Sequence, residues 1–423
     1  MRVYNILIIT TFLLAVSLVV LIGCKYDVTE PQWYKPEAAS TTVTITSIDP
    51  ALEALPGVNT ITIHGTGFTG AVDTTIVTNV ATKGKTVFVY NGVTFNNVQA
   101  EIMEFSPTSI KVRRPNITGD SITVNISATT ARVVTKTSLY KIDSVIAEYG
   151  AFVANTQLNT VTLDNAGNLY VVEQPKKHVW KVTPDGQRLS GSATDTLIRT
   201  PSDAKISPID GNLYYLTNVF PNTKEVHKYN FTTGKDSLWL TLSPVKNLIC
   251  GDFDANGYFY TGGRKSGIVV IRPDRSQRLD GYYATDTISS IRVFNGYLYA
   301  ADRTTIWRHS ISDTSLVGAQ ELVLDLTQGI FATRLIKNFS FSADGSKMYI
   351  ATDSPDPILI ATNAMSIPIT PDRVDILYKN ILPSYCKQFC FGNKLYMISG
   401  NATPAVTWDV YKVDVGTTGA PYY

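Results

Sequence analysis

A chain of 423 residues can form two or three ordinary domains, or fewer if an all-β unit is long. Charged residues make up 17% of the chain and aromatic residues 10%, with 23 tyrosines, and this composition favours strands over helices. The net charge of +2 and the lack of a basic run with interleaved aromatic residues argue against nucleic acid as a partner. The four histidines lie far apart in the sequence, which argues against a histidine-based metal or catalytic centre.

The first segment of the chain predicts export. Residues 6–22 are almost wholly apolar and are followed by Gly23-Cys24. An apolar run with a small residue before a cleavage point is typical of a signal peptide, and a transmembrane anchor is the alternative. Gly23-Cys24 resembles the bacterial lipobox, which implies that residues 1–24 are a lipoprotein signal peptide and that Cys24 is lipidated. The resemblance to lipoproteins of Bacteroidetes-type bacteria implies an outer-membrane lipid anchor and exposure at the cell surface.

Two further segments precede the repeats of the chain. Residues 25–40 contain prolines and mixed polar residues without a periodic pattern, and they predict a tether. Residues 41–137 alternate short strands with turns, which predicts a small β-sandwich. Its turn residues follow in the order Ile48-Asp49-Pro50, Pro56-Gly57, Gly65-Thr66-Gly67-Phe68 and Tyr90-Asn91-Gly92. This order resembles the IPT/TIG family of immunoglobulin-like domains, and the resemblance implies a spacer or interaction module.

A turn followed by a strand recurs six times in the rest of the chain. The strand tyrosines are separated by 44, 46, 39, 50 and 47 residues, and they are Tyr170, Tyr214, Tyr260, Tyr299, Tyr349 and Tyr396. A period of about 40 to 50 residues is typical of propeller blades, whereas stacked immunoglobulin-like domains would need about twice that length. The chain is therefore predicted to be all-β, with an Ig-like β-sandwich followed by a six-bladed β-propeller at residues 138–423. The repeats resemble those of NHL-type propellers.

The last repeat has sequence for only three strands, because the residues after Val415 are rich in turn formers. The segment 138–150, ahead of the first repeat, is strand-like and has no other assignment. We expect it to supply the outer strand of the last blade, because a closed ring leaves no open sheet edge.

Each second strand of the predicted blades leads into a loop on one face of the ring. Five of the six positions four residues after the repeat tyrosines are polar, and acidic residues precede two of them. These positions predict ligand-binding groups around the axial mouth of the propeller, namely Glu173, Gln174, Asn218, Arg264, Asp302, Arg303 and Asp353. The alternative is the ordinary polarity of strand-to-loop junctions.

The aromatic and cysteine residues of the repeats have mainly structural predictions. Trp180 and Trp307 occupy equivalent positions and are expected to pack between blades. Trp408 and Tyr411 face opposite sides of one strand, so that one of them could be exposed for stacking on a sugar ring. The cysteines other than Cys24 are expected to be buried small residues, and they are Cys250, Cys386 and Cys390.

The predicted function is non-catalytic binding of an extracellular ligand, with polysaccharide as the best candidate. Lipoproteins of this build resemble the accessory glycan-capture components of Bacteroidetes nutrient-uptake systems, which implies an outer-membrane transporter as partner. A protein-interaction scaffold at the outer membrane is the second hypothesis.

The third hypothesis is a metal-dependent hydrolase similar to the gluconolactonase/regucalcin family, whose propellers hold a divalent metal through Glu, Asn and Asp at the axis. Glu173, Asn218, Asp302 and Asp353 would take those roles, but Arg264 and Arg303 in the same positions would repel a cation. No common catalytic motif occurs in the chain. The sequence thus predicts no catalytic residue, no metal ligand and no cofactor.

Overall fold

The fold is known from a computed structural model that describes residues 44–68, 92–127, 133–136, 138–152, 157–174, 176–189, 196–217, 224–242, 247–280, 282–283, 286–312, 315–316, 319–400 and 408–422. The signal segment 1–24 with Cys24, the tether 25–40 and Asn218 lie outside these residues. The described residues form 36 strands and two short 3₁₀ helices, Gly329–Phe331 and Pro371–Arg373. None of their helices is long and apolar enough to cross a membrane.

The first eleven strands form the immunoglobulin-like domain. They are β1 (Thr44–Asp49), β2 (Glu53–Ala54), β3 (Thr60–Thr66), β4 (Gly92–Phe95), β5 (Val98–Ala100), β6 (Ile102–Phe105), β7 (Ser109–Arg113), β8 (Gly119–Ile122), β9 (Val124–Ser127), β10 (Val133–Thr135) and β11 (Tyr140–Ile142). Their sheets have the strand orders β1-β3-β7-β6, β10-β9-β4-β5 and β2-β11-β8. Period-two alternation buries one face of each sheet, as at Ile61 and Ile63 of β3.

Strand β11 belongs to the immunoglobulin-like domain, although sequence analysis assigned residues 138–150 as a whole to the propeller. Tyr140 and Ile142 are each 1% exposed in the core of the sandwich. The domain therefore extends beyond residue 137, because these two alternating side chains face its core and not the last blade.

The remaining strands form six sheets arranged as blades around an axis. Blade 1 comprises β13 (Gln157–Leu163), β14 (Leu169–Gln174), β15 (Val179–Val182) and β16 (Arg188–Leu189), and blade 2 comprises β17 (Pro201–Ile206), β18 (Leu213–Thr217), β19 (Glu225–Asn230) and β20 (Lys235–Thr241). Blade 3 comprises β21 (Leu248–Phe253), β22 (Phe259–Gly263), β23 (Ile268–Ile271) and β24 (Gln277–Asp280).

The other three blades complete the ring. Blade 4 comprises β25 (Ser290–Phe294), β26 (Tyr297–Ala301), β27 (Thr305–Ser312), β28 (Ser315–Leu316) and β29 (Glu321–Asp325), and blade 5 comprises β30 (Ile336–Phe341), β31 (Lys347–Thr352), β32 (Ile358–Thr362) and β33 (Val374–Ile376). Blade 6 comprises β34 (Gln388–Phe391), β35 (Leu395–Gly400), β36 (Trp408–Val413) and, as its outer strand, β12 (Ile146–Glu148), which precedes blade 1 in sequence. β12 pairs antiparallel with β36, so that the last blade contains a strand from each end of the propeller sequence.

Hydrophobic packing follows the ring. Six clusters of buried residues each join two neighbouring blades, and one of them joins blade 1 to blade 6 through Leu158, Val171, Ile398 and Val410. The four tryptophans of the blades pack against these clusters, and they are Trp180, Trp239, Trp307 and Trp408. Cys250, Cys386 and Cys390 are buried and unbridged, as predicted.

The recurring turn has a structural explanation. In blade 1 an oxygen of Asp164 accepts hydrogen bonds from the backbone of Ala166 and Asn168, and its other oxygen accepts one from the Tyr170 hydroxyl at 3.1 Å. The turn glycines have positive φ values of +79°, +65°, +83°, +77° and +70° in five of the six repeats, a conformation that favours glycine. The repeat is therefore conserved within the chain by the geometry of the turn, independently of any ligand.

The immunoglobulin-like domain contacts blades 5 and 6. The Tyr378 hydroxyl accepts a hydrogen bond from the backbone of Gly57 at 2.6 Å, and the Tyr378 backbone donates to Asn59 at 2.8 Å. Asp375 accepts a hydrogen bond from Asn59 at 2.9 Å and forms an ion pair with Arg113 at 2.8 Å. These polar contacts connect the two domains directly.

Candidate functional site

The first strand of each blade in the order given above is its inner strand, and it directs alternate side chains toward the axis of the ring. On β17, Ala204 and Ile206 pack between blades, whereas Asp203 and Lys205 point to the axis. Contacts across the ring establish this placement, because Gln388 of blade 6 donates a hydrogen bond to Asp203 of blade 2 at 2.6 Å. The other inner strands bury polar side chains in the same way, and these include Thr160, Thr162, Asp252, Ser290, Arg292 and Ser340.

One end of the axis is closed by the residues that follow β36. The backbone of Ala420 donates to Phe341, at the end of β30, and the Arg292 guanidinium donates to the carbonyls of Ala420 and Pro421. The same guanidinium lies 3.9 Å from the ring centre of Tyr422 and pairs with Asp252 at 2.6 Å. The sequence of this tail predicts no strand and no role for it. Its role as the base of the ring depends on contacts with blades 4 and 5.

The other end of the axis is an open cavity of about 460 Å³, which we call the axial cup. It lies where the inner strands begin, at the end of the axis opposite the tail. It is lined by residues from all six blades and by none from the tail. Its amide and hydroxyl side chains are Asn159, Ser202, Thr287, Ser289, Asn338 and Gln388. Its charged side chains are Asp203, Arg264, Arg303, Lys337 and Lys387, and within the described part of the chain none of the lining residues is aromatic.

The residues predicted from the sequence divide into two groups. Arg264 and Arg303 line the axial cup, where second strands of blades 3 and 4 lead into their loops. The lining of the cup includes none of the other predicted residues that the structure describes, which are Glu173, Gln174, Asp302 and Asp353.

Glu173 and Asp302 contact the tryptophan of their own blade. Glu173 is 4% exposed and accepts a hydrogen bond from the Trp180 indole at 3.0 Å. Asp302 accepts hydrogen bonds from the backbone of Thr305 at 2.9 Å and from the Trp307 indole at 3.4 Å. Asp353 likewise accepts a backbone hydrogen bond from Leu335 at 2.8 Å. These carboxylates order the loops and the interblade packing around the cup.

The inner-strand residues of the cup were not predicted from the sequence. Asn159, Asp203, Asn338 and Gln388 lie at the start of inner strands, which pair with the second strands that carry the predicted positions. The available signal was the polar alternation of segments such as "SDAKIS" and "KNFSFS". In such strands the polar side chains belong to the axis and not to the solvent.

The acidic residue of the cup is already neutralised. Both oxygens of Asp203 lie 2.9 Å from the Lys205 ammonium, and Asp203 also accepts from Gln388 and from the backbone of Gly251 at 3.1 Å. Among the described residues, no carboxylate lies within 4.0 Å of the side-chain nitrogens of the basic residues of the cup, which are Arg264, Arg303, Lys337 and Lys387. The cup therefore presents a positive surface.

Two titratable groups of the cup have shifted pKa values. Burial lowers the pKa of Lys387 to about 8. Its ammonium donates to the Leu158 carbonyl at 2.9 Å and lies over the face of Trp408, and it has no carboxylate partner among the described residues. Burial raises the pKa of the Cys250 thiol well above its ordinary value, so that the thiol stays protonated and is a poor nucleophile. Lys387 is thus partly deprotonated at mildly alkaline pH, and a bound anion would restore its charge.

The described residues contain no group of three His, Cys, Asp or Glu side chains that could hold a metal ion. Glu173 and Asp302, which a lactonase-like site would use, are directed to their tryptophans.

Comparison with known protein families identifies the family of the first domain. Residues 43–142 match the sequence model of the IPT/TIG domain family. No curated protein is significantly similar to the chain in sequence.

Three solved structures are similar in fold to most or part of this chain. A protein of unknown function from Bacteroides thetaiotaomicron is 10% identical, with 88% of this chain and 98% of that chain covered and a TM-score of 0.49. An auxiliary nutrient binding protein from Bacteroides ovatus is 11% identical over 88% of this chain and 98% of that chain, with a TM-score of 0.45. Virginiamycin B lyase from Staphylococcus aureus is 11% identical over 63% of this chain and 98% of that chain, with a TM-score of 0.42.

These likenesses all have TM-scores below 0.5, and they assign no function to this chain. The domain match and the six sheets together define the architecture. Residues 43–142 form an IPT/TIG domain, and a six-bladed β-propeller follows it.

Proposed function

We propose that this chain is a non-catalytic binding protein of the bacterial cell surface that captures a polysaccharide in the axial cup. A lipid on Cys24 anchors it in the outer membrane, and an outer-membrane transporter takes up the captured material. The observation that carries the proposal is the cup itself, which is open at one end of the axis and lined by amide and hydroxyl side chains.

The polar lining suits a ligand with many hydroxyl groups. Asn159, Asn338 and Gln388 provide amides from blades 1, 5 and 6, so that one ligand can contact several blades at once. The Asn338 side-chain oxygen is buried and has no hydrogen-bond partner in the described part of the chain. Burial of an acceptor without a partner is unfavourable, and a sugar hydroxyl would satisfy this oxygen if the amide rotated toward the cup.

Recognition in the cup would depend on hydrogen bonds and charge. The expected stacking of sugar rings on aromatic side chains finds no partner among the described residues of the lining, which include no aromatic side chain, and the blade tryptophans pack against interblade clusters. Affinity for a single site would therefore be modest, and display of many copies on a membrane would increase the avidity for a polymer.

Isothermal titration calorimetry of the full chain against a panel of plant, fungal and host oligosaccharides tests the proposal. We expect at least one glycan to bind, and Asn338→Ala to weaken that binding roughly tenfold through loss of its hydrogen bonds. Asn256→Ala is the matched control, because Asn256 is exposed on a turn at the opposite end of the inner strands. Absence of heat with every glycan, together with unretarded migration in glycan-containing gels, would overturn the proposal.

A metal-dependent hydrolase is disfavoured on electrostatic grounds. Four basic side chains around the cup would repel a divalent cation, and Asp203, the single carboxylate among the described lining residues, is bound by Lys205. Metal analysis of the purified protein separates the two functions: stoichiometric calcium or zinc that is lost in Asp302→Ala would favour the hydrolase.

A further inference from the structure

The basic residues of the axial cup come from four consecutive blades. Arg264 and Arg303 follow the second strands of blades 3 and 4, and Lys337 lies on the inner strand of blade 5. Lys387 immediately precedes the inner strand of blade 6. The four positive charges therefore form an arc over half of the mouth or more, although the net charge of the whole chain is only +2.

The opposite side of the cup does not balance this arc. Its carboxylate, Asp203 of blade 2, is buried at 5% exposure and is bound by Lys205, Gln388 and two backbone amides. A charge that is paired at 2.9 Å contributes little to the field at the rim. The described part of the cup thus combines four positive charges that lack a carboxylate partner with one negative charge that already has a partner.

Two members of the arc lower the stability of the folded chain. The backbone of Arg303 has a φ of +147°, a region that favours glycine and costs other residues of the order of 1–3 kcal/mol. Lys387 is withdrawn from water without an acidic partner, which lowers its pKa to about 8. Both arrangements place a positive side chain in the lining of the cup, where a bound anion would contact it.

We propose that the ligand of the axial cup is an acidic glycan, whose carboxylate or sulfate groups are bound by Arg264, Arg303, Lys337 and Lys387. This inference rests on the proposed function, since it names the class of polysaccharide that the cup selects. The guanidinium groups can bind a carboxylate or sulfate through two parallel hydrogen bonds, and the ammonium groups act as point charges. The amides of Asn159, Asn338 and Gln388 would then contact the uncharged hydroxyls of the same sugar chain.

Matched pairs of glycans that differ only in charge test the proposal. Oligogalacturonate is compared with its methyl ester, and chondroitin sulfate oligosaccharide with its desulfated form, by calorimetry on the full chain. We expect the acidic member of at least one pair to bind at least tenfold more tightly, with an affinity that falls as salt is raised from 50 to 500 mM. Free sulfate at equal ionic strength is a separate arm that distinguishes a glycan from a small anion.

Charge-removing variants connect the effect to the cup. Arg264→Gln and Lys337→Gln should each weaken binding of the acidic glycan roughly tenfold while leaving the melting temperature unchanged. Lys235→Gln is the matched control, because Lys235 is exposed on the outer strand of blade 2 and is absent from the cup lining.

The outcomes separate this inference from the proposed function. If a neutral glycan binds as tightly as its acidic counterpart and the charge variants behave like the control, the cup binds glycans but this inference is wrong. If free sulfate binds as tightly as the acidic glycan, the site is a general anion site and the inference is also wrong. If no glycan of either kind binds, the proposed function itself fails.

Discussion

Arg303 lies at the rim of the axial cup with a backbone conformation that a glycine would adopt more readily. Its φ is +147°, and its carbonyl accepts a hydrogen bond from the backbone of Ile336 in the next blade. That cross-blade contact holds the loop in place. The side chain therefore lies over the cup although its backbone is strained, which is a common arrangement at binding sites.

Replacing Arg303 with glycine should stabilise the protein and weaken ligand binding. We expect Arg303→Gly to raise the free energy of unfolding by about 1 kcal/mol because the strain is relieved. Thermal or urea denaturation measures this gain. Arg303→Ala is the control, since it removes the guanidinium but keeps the strain. It should bind as weakly as Arg303→Gly without being more stable, and equal stability of the two variants would contradict the assignment of strain.

Lys387 should make both stability and binding depend on pH. Its folded-state pKa is about 8, below the ordinary lysine value, so the folded protein loses this proton before the unfolded chain does. The penalty for burying the charge is therefore complete below pH 8 and is relieved as the pH rises toward the unfolded-state value.

Lys387→Met should accordingly have a higher free energy of unfolding than the natural chain at pH 7, by a difference on the order of 2 kcal/mol, and this difference should disappear above pH 10.

The affinity of the natural chain for an acidic glycan should fall above pH 8, whereas the weaker affinity of the variant should stay constant between pH 7 and 9. Denaturation and calorimetry across this range provide the measurement. A pH-independent affinity in the natural chain would show that Lys387 does not contribute its charge to binding. The other charged groups that line the cup together with Lys387, and that a bound acidic glycan would also face, are Asp203, Arg264, Arg303 and Lys337.

Among the elements, β12 has the most distant connection in sequence. Its three residues pair with β36 in the register Ile146 with Val413, Ala147 with Lys412 and Glu148 with Tyr411. Hydrogen bonds continue on both sides, from the Tyr149 backbone to Val410 and from the Asp414 backbone to Val145. Residues 145, 147 and 149 therefore direct their backbone groups toward β36, and residues 146 and 148 direct theirs away.

This alternation predicts opposite results for proline at adjacent positions. Ala147→Pro removes a donor that faces β36 and should destabilise the propeller by about 2–3 kcal/mol. Glu148→Pro is the matched control, because its N–H faces away from the sheet at an edge where proline is tolerated. Urea denaturation compares the two variants, and equal losses would mean that β12 does not close the ring in this register.

The tail after β36 is the second element whose role depends on distant partners. Arg292 is 2% exposed, pairs with Asp252 and stacks on Tyr422, so the tail covers a buried ion pair. Without the tail this guanidinium would lose its stacking partner Tyr422 and its hydrogen bonds to the carbonyls of Ala420 and Pro421. The tail thus closes the end of the axis that lies opposite the cup.

For the whole molecule, the contacts between the two domains decide how the cup is presented. Asp375 connects Asn59 and Arg113 of the immunoglobulin-like domain to blade 5, and Tyr378 connects Gly57 to Asp414 beside blade 6. Such directional contacts hold one domain on the other more firmly than a linker would.

Asp375→Ala should loosen the two domains by removing the ion pair with Arg113 and the hydrogen bond with Asn59, at a cost of about 1–3 kcal/mol. Differential scanning calorimetry should then resolve separate transitions, and small-angle scattering should report a larger radius of gyration. Asp372→Ala, at an exposed position in the neighbouring 3₁₀ helix, is the control. An unchanged single transition and an unchanged radius in Asp375→Ala would contradict a firm interface.

Much of the architecture was predictable because it depends on local geometry that repeats. A turn followed by a strand tyrosine begins the second strand of every blade, as at Asp164, Gly167 and Tyr170, and counting the repeat tyrosines predicts the six sheets. The predicted boundary between the domains was less accurate. The sequences of β11 and β12 are equally strand-like, and only their pairing and burial in different domains distinguish them.

The sequence by itself determined the class of the protein, the domain order and the number of blades, since these follow from periodic patterns within each repeat. It placed Arg264 and Arg303 at the mouth, but it also placed Glu173 and Asp302 there, which the tertiary structure directs to tryptophans. The charge and chemistry of the cup were decided only by the closed ring. Six inner strands far apart in sequence bring Asn159, Asp203, Lys337 and Lys387 to one axis, and no local pattern encodes which of their charges is neutralised.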